Sequence, residues 1–179
     1  MFLNKIPVIR GWLTRWYNYK MRKAQIRAYE HMLRCVENTP VTDIHYDRNG
    51  CVYTLEDGRS YYFDPNKSAG WLYTVPYTGL FEEKETGYVR RTIQADWVCF
   101  DIGACFGWYS VLFSQLAGEG QLHAFEPVSD NRACLEANLT LNNCSNVKIN
   151  SFAFGEEQSR TKIYIPDGGV SGSFKAHAR

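Results

Sequence analysis

The stretch from Val98 to Glu126 constrains the fold more than any other part of the chain. It begins in a near-continuous apolar run, Trp97-Val-Cys-Phe-Asp101, the pattern of a strand buried on both faces. A glycine turn follows, Asp101-Ile-Gly103-Ala-Cys-Phe-Gly107, then a helical segment from Trp108 to Ala117 that Gly118 and Gly120 stop. Gln121-Leu-His-Ala-Phe-Glu126 reads as a second strand. Strand, helix and strand in this order form a βαβ unit with parallel strands and a right-handed crossover. The unit repeats: Ser129 or Asp130 is expected to cap a helix that carries Leu135 and Leu139 and ends at Asn142-Asn143, and Asn146 to Phe152 gives a third strand. A short fourth strand is expected at Thr161 to Pro166. The expected fold class is therefore α/β, with a Rossmann-like parallel sheet.

The turn also carries the chemistry. Gly103 permits a tight bend at the carboxyl end of the first strand, and Gly107 permits close packing where the helix begins, so backbone amides are expected to face a ligand. A dinucleotide site places a diphosphate on the helix N-terminus and uses G-x-G-x-x-G, whereas this turn reads D-x-G-x-x-x-G. An acid at the strand tip suits a ligand with a cationic amino-acid end and no phosphate, such as S-adenosylmethionine. Glu126 ends the neighbouring strand, where an acid can accept hydrogen bonds from both ribose hydroxyls. That acid alone fits NAD equally well; Asp101, Gly103, Gly107 and Glu126 together favour S-adenosylmethionine.

Before this region the period of the sequence changes twice. Ile9, Trp12, Leu13 and Trp16, then Ile26, Tyr29, Leu33 and Val36, recur at helical steps, with Pro7 at a helix start. Up to Glu37 eight basic residues face only Glu30 and Glu37, a charge of +6 that leaves −5 for the rest of a 179-residue chain of net charge +1. Two expectations follow for this basic arm: its apolar stripe packs on the following domain, or it lies on an anionic membrane surface. After Pro40 the period is two. Val41 to Tyr46, Cys51 to Leu55 and Ser60 to Phe63 are β-prone runs separated by Asn-Gly and Asp-Gly, so they form an antiparallel meander. An irregular connection covers Asp64 to Thr78, and Leu80 to Ile93 is expected to be helical, its period set by Phe81, Glu85, Tyr88 and Val89. The expected units are a helical arm over 1–38, meander and connection over 39–78, and the Rossmann-like domain over 79–179.

The balanced charge gives no global field for nucleic acid, and none is expected as a partner. Six cysteines without a C-x-x-C pair signal neither zinc nor a disulfide framework, which suits a reducing cytoplasm; no metal is expected. No run approaches the ~20 apolar residues of a membrane span. The expected location is thus cytoplasmic, with contact to the inner face of the membrane through the arm as an option.

Four ordered blocks resemble those of the FkbM-type S-adenosylmethionine-dependent methyltransferases. They are Phe100-Asp-Ile-Gly-Ala-Cys-Phe-Gly-Trp-Tyr-Ser110, His123-Ala-Phe-Glu-Pro127, Leu135-Glu-Ala-Asn-Leu-Thr-Leu-Asn142 and Phe152-Ala-Phe-Gly-Glu156. The resemblance implies a class I methyltransferase fold and methyl transfer to a hydroxyl of a sugar or small molecule. It implies that Asp101, Gly103 and Gly107 hold the methionine end, with Ala104 of the same turn also among the cofactor-binding residues, Glu126 the ribose, and Phe152 and Ala153 the adenine edge. Two departures stand out. Cys105 replaces the family's usual Asn, removing an amide that bonds the loop or the ligand. The family also continues into further strands, whereas this sequence ends at Arg179, so an incomplete chain is expected, with a sheet edge left for a partner or a second copy. No catalytic base is nominated: His45 and His123 lie within strands and His177 in a tail. The competing expectation is a non-catalytic remnant serving as a cofactor-binding or assembly module.

Overall fold

The computed structural model describes residues 7–37, 39–48, 50–63, 82–160 and 162–164. The connection expected over Asp64 to Thr78, Phe81 and the C-terminal tail lie outside them. The order is α1 (Pro7–Glu37), β1 (Val41–Asp47), β2 (Gly50–Leu55), β3 (Ser60–Phe63), α2 (Glu83–Thr92), β4 (Val98–Ile102), α3 (Trp108–Ala117), β5 (Gln121–Phe125), α4 (Ser129–Leu141) and β6 (Val147–Asn150).

The two sheets follow from the two periods of the sequence. β1, β2 and β3 form the antiparallel meander, with Ile44 opposite Tyr53 and Tyr53 opposite Tyr61. At its second turn Gly58 adopts φ 85, a left-handed conformation that glycine takes without steric cost, and the turn closes with Leu55 N–H on the Arg59 carbonyl at 2.8 Å. β4, β5 and β6 form a parallel sheet in that order, with Asp101 beside Ala124 and Ile102 beside Phe125. This is an α/β, Rossmann-like arrangement.

Meander and parallel sheet share one core. Val41, Cys51, Tyr53, Leu55 and Tyr61 are packed together with Phe106, Trp108, Val111, Leu135 and Leu139. The hinge of this packing is Trp108, 4% exposed: its ring stacks on Tyr61 at 5.0 Å, carries the Arg59 guanidinium at 4.5 Å, and its Nε1 donates to Thr86 Oγ1 at 3.1 Å. Arg59 is held by Asp57 at 2.9 Å, and Arg90 on α2 bonds the same carboxylate.

Four expectations need correction. β4 is not buried on both faces: Cys99 and Asp101 are 8% exposed, but Val98, Phe100 and Ile102 are 57, 57 and 63% exposed. The reason is topological, since two right-handed crossovers stepping the same way place both helices on one face. On α2 the inward residue is Thr86, while Tyr88 is 64% exposed. Ser129 and Asp130 do not cap α4; Val128 is its cap residue, and the Val128 amide is taken by the Glu126 carboxylate. The fourth strand is not formed among the described residues, where Tyr164 makes only an isolated bridge.

The arm α1 is one continuous 31-residue helix whose described side chains, Thr14 to Arg27, Glu30, Leu33 and Glu37, are exposed; the side chains of Ile9, Trp12, Leu13, Tyr29 and Val36, most of the expected apolar stripe, lie outside the described residues. Among the described residues no helix is long and apolar enough to cross a membrane.

Candidate ligand site at the strand tips

The site is built where β4 and β5 end. Gly103 N–H and Ala104 N–H both donate to the Phe125 carbonyl, at 2.9 and 3.0 Å, which folds the glycine turn over the tip of β5. Gly103 sits at φ 84, and a Cβ placed there would meet nothing within 4 Å, so the space above it is open. Gly107 serves packing instead: at φ 92 it begins α3, and a Cβ would lie 2.6 Å from Leu135 Cδ1. The close packing expected at this glycine is thus against Leu135 of α4.

Glu126 is 4% exposed and ties two loops together. Its Oε2 accepts the Cys105 N–H at 2.9 Å and its Oε1 the Val128 N–H at 2.8 Å. One lone pair remains on each oxygen, a spacing suited to the two hydroxyls of a ribose. Asp101, 8% exposed, lies beneath the start of α3 and accepts a hydrogen bond from Ser110 Oγ at 2.6 Å. Burial pushes its carboxyl above the ordinary carboxylate range; the Ser110 hydrogen bonds oppose this and the nearby Glu126 charge adds to it. Among the described residues neither carboxylate has an ion-pair partner. Arg132, close by, spends Nη1 on the carbonyls of Glu126 and Pro127, at 3.0 and 2.6 Å.

The amides expected to face a ligand are largely spent inside the turn. Those of Gly103, Ala104 and Cys105 bond β5 and Glu126, and Gly107 N–H bonds the Ala104 carbonyl at 2.7 Å. Ala104 is 5% exposed and belongs to the core. What the turn offers a ligand is the open surface at Gly103 beside two acids. Phe152 and Ala153 follow β6 and are exposed; Phe152 stands edge-on to Phe125 at 5.3 Å, beside the β5 tip. Cys105 adopts φ 51, left-handed and unusual for a non-glycine residue. Burial and the Glu126 charge push its thiol up to about 12.

Asn138 had no role in the sequence reading beyond its place in a resembling block. It is fully buried on α4, where Oδ1 accepts Tyr62 N–H at 2.7 Å and Nδ2 donates to the Phe106 carbonyl at 2.8 Å. One turn later, Asn142 pairs with both backbone groups of Ser60, at 2.8 and 2.6 Å. Four helical residues rise about 6 Å and two strand residues about 6.8 Å, so the two amides match alternate residues of β3 and stand in for a neighbouring strand. Asn138 thereby joins the meander to the glycine turn. Of the histidines whose side chains are described, His45 is exposed on β1, and His123 stacks on Phe100 at 5.3 Å on the open face of the sheet.

No family model matches the chain, and no curated protein does. Solved structures match part of it. P. horikoshii TYW2 in complex with MeSAdo is 19% identical, with a TM-score of 0.44 over 61% of this chain and 38% of that one. An rRNA methylase from Streptococcus thermophilus is 10% identical at TM-score 0.37, over 40% of this chain and 38% of that one. A precorrin-6y C5,15-methyltransferase from Geobacter metallireducens is 24% identical at TM-score 0.36, over 39% of this chain and 38% of that one. The matched part thus spans well under half the length of each of these proteins.

Proposed function

We propose that the strand tips bind S-adenosylmethionine and that the chain belongs to a methyltransferase of the FkbM type. The carrying observation is the pair of buried carboxylates, Asp101 and Glu126, at adjacent strand tips without a cationic partner among the described residues. Buried charge without compensation is costly, and a cationic ligand removes that cost. S-adenosylmethionine carries a sulfonium and an ammonium group, with a ribose diol between sulfonium and base. Its diol fits the remaining lone pairs of Glu126, its methionine end the open surface at Gly103 beside Asp101, and its adenine the exposed Phe152-Ala153 edge.

When bound, S-adenosylmethionine supplies an activated methyl group for in-line displacement, and this chain's own part is orientation. Glu126 holds both the Cys105 turn and the helix that follows Val128, so ligand position and loop position are set by one side chain. The four resembling blocks support a hydroxyl of a sugar or small molecule as the methyl acceptor. The test is calorimetric titration of the folded chain with S-adenosylmethionine, its demethylated product and NAD. Binding of the first two with weaker or no binding of NAD is expected; a folded sample that binds neither, or prefers NAD, overturns the reading.

A further inference from the structure

The arm is the largest feature that this ligand site does not use. Over Pro7–Glu37 the helix carries seven basic residues, Arg10, Arg15, Lys20, Arg22, Lys23, Arg27 and Arg34, against two acidic ones, Glu30 and Glu37, both of which follow Arg27. Trp16, Tyr19, Ile26 and Leu33 recur at steps of three and seven, which puts them in one stripe about 100° wide. Their exposures are 48, 58, 47 and 39%, so the protein's own core does not take them up. On a helical projection Arg15 and Arg22 flank this stripe on one side and Lys20 and Arg27 on the other, with Lys23 inside its N-terminal part and Glu30 and Glu37 inside its C-terminal part, so the basic docking face is the segment up to Arg27. Lys20 lies over the Trp16 ring at 4.4 Å and Lys23 over Tyr19 at 4.9 Å, so ring and ammonium are presented together.

We infer that α1 docks on an anionic phospholipid surface, lying in the interfacial plane. The charge selects the occupant. A second copy of so basic a helix repels the first, and an apolar partner leaves the flanking cations without counter-charge. An anionic bilayer satisfies both parts: Trp and Tyr settle at headgroup level, while Lys and Arg extend along their alkyl stems to the phosphates. The helix lies on the membrane and does not cross it, since no described helix is long and apolar enough to do so. The inference is independent of the ligand at the strand tips.

The experiment is co-sedimentation of the full chain with phosphatidylcholine vesicles, with and without phosphatidylserine, at low and high salt. Binding is expected only with phosphatidylserine and is expected to weaken with salt. The double variant Lys20→Glu/Lys23→Glu should lower partitioning at least about tenfold, because each basic residue near the surface contributes roughly 1 kcal/mol. Trp16→Ala/Tyr19→Ala should lower it as well, with the salt dependence kept. These side chains are exposed, so thermal melts of both variants should match the parent. Failure to bind phosphatidylserine vesicles overturns the inference, as does equal binding by the charge-reversed variant. So does a parent chain that binds a homopolymeric RNA but no vesicle.

Discussion

The junction between meander and α4 and the tips of β4 and β5 lie on either side of the same glycine turn, yet they treat buried charge in opposite ways. At the junction Arg59 has Asp57 and Tyr61, Trp108 has Thr86, and Asn138 has Tyr62 and Phe106, while the buried Tyr53 hydroxyl is left without a hydrogen-bond partner among the described residues. At the tips two acids are buried without a counter-charge, and a non-glycine residue holds a left-handed conformation. The junction is organised for stability. The tips keep costs that, under the proposed function, a bound cation relieves.

The largest test of this contrast removes the junction's centre. Trp108→Ala deletes a 4%-exposed ring that Tyr61, Arg59 and Thr86 surround, and is expected to destabilise by about 3–5 kcal/mol. Denaturant unfolding measures it. A loss within about 0.5 kcal/mol, typical of surface substitutions, would mean that meander and parallel sheet do not share one core.

At the tips the corresponding change should run the other way. Asp101→Asn keeps an oxygen for the Ser110 hydroxyl but removes a buried charge, so stability near neutral pH should rise. S-adenosylmethionine binding should fall about tenfold or more, as the loss of a charge partner costs roughly 1.4 kcal/mol or more. The pH dependence follows from the raised carboxyl value, whose main cause is burial. The native chain takes up this proton at higher pH than the unfolded chain does. Its stability should therefore decline as pH rises from the unfolded value through the raised native one, and stay lower above it. The Asp101→Asn variant has no such proton, so its unfolding midpoints should lack this decline. A variant less stable than the parent at neutral pH, with the same pH profile, would remove Asp101 from the costs assigned to the site.

Much of this contrast was legible in the sequence, for reasons specific to each element. The alternating runs and Asp-Gly turn fixed the meander, and the glycine turn between apolar strand and helix located the tips, because both patterns are local. The bare face of β4 was not legible: an apolar run looks the same whether one face is covered or two, and the direction of successive crossovers decides. Asn138 and Asn142 were hidden for a different reason. Their partners, Tyr62 and Ser60, lie 76 and 82 residues away, and a match of helix rise to strand rise leaves no trace in either segment alone. The same holds for Glu126, whose position was predictable at a strand end but whose grip on Cys105 and Val128 depends on the folded turn.

The smallest effect concerns that grip. Cys105 is held at φ 51 while its N–H bonds Glu126, so the turn keeps a backbone conformation that costs a side-chain-bearing residue roughly 1–2 kcal/mol. Asn tolerates the left-handed region and β-branched residues do not. Cys105→Asn should therefore equal or exceed the parent in unfolding free energy, and Cys105→Val should fall below the Asn variant by about 1–2 kcal/mol. The gap between the two variants isolates the backbone, because each leaves the amide that Glu126 accepts. Equal stabilities would show that the turn relaxes out of the left-handed region, and then Glu126 would not be holding it. A clear gap, together with a gain in S-adenosylmethionine affinity for Cys105→Asn over Cys105→Val, would show that the strain at the tips is kept by the same carboxylate that is proposed to receive the ribose.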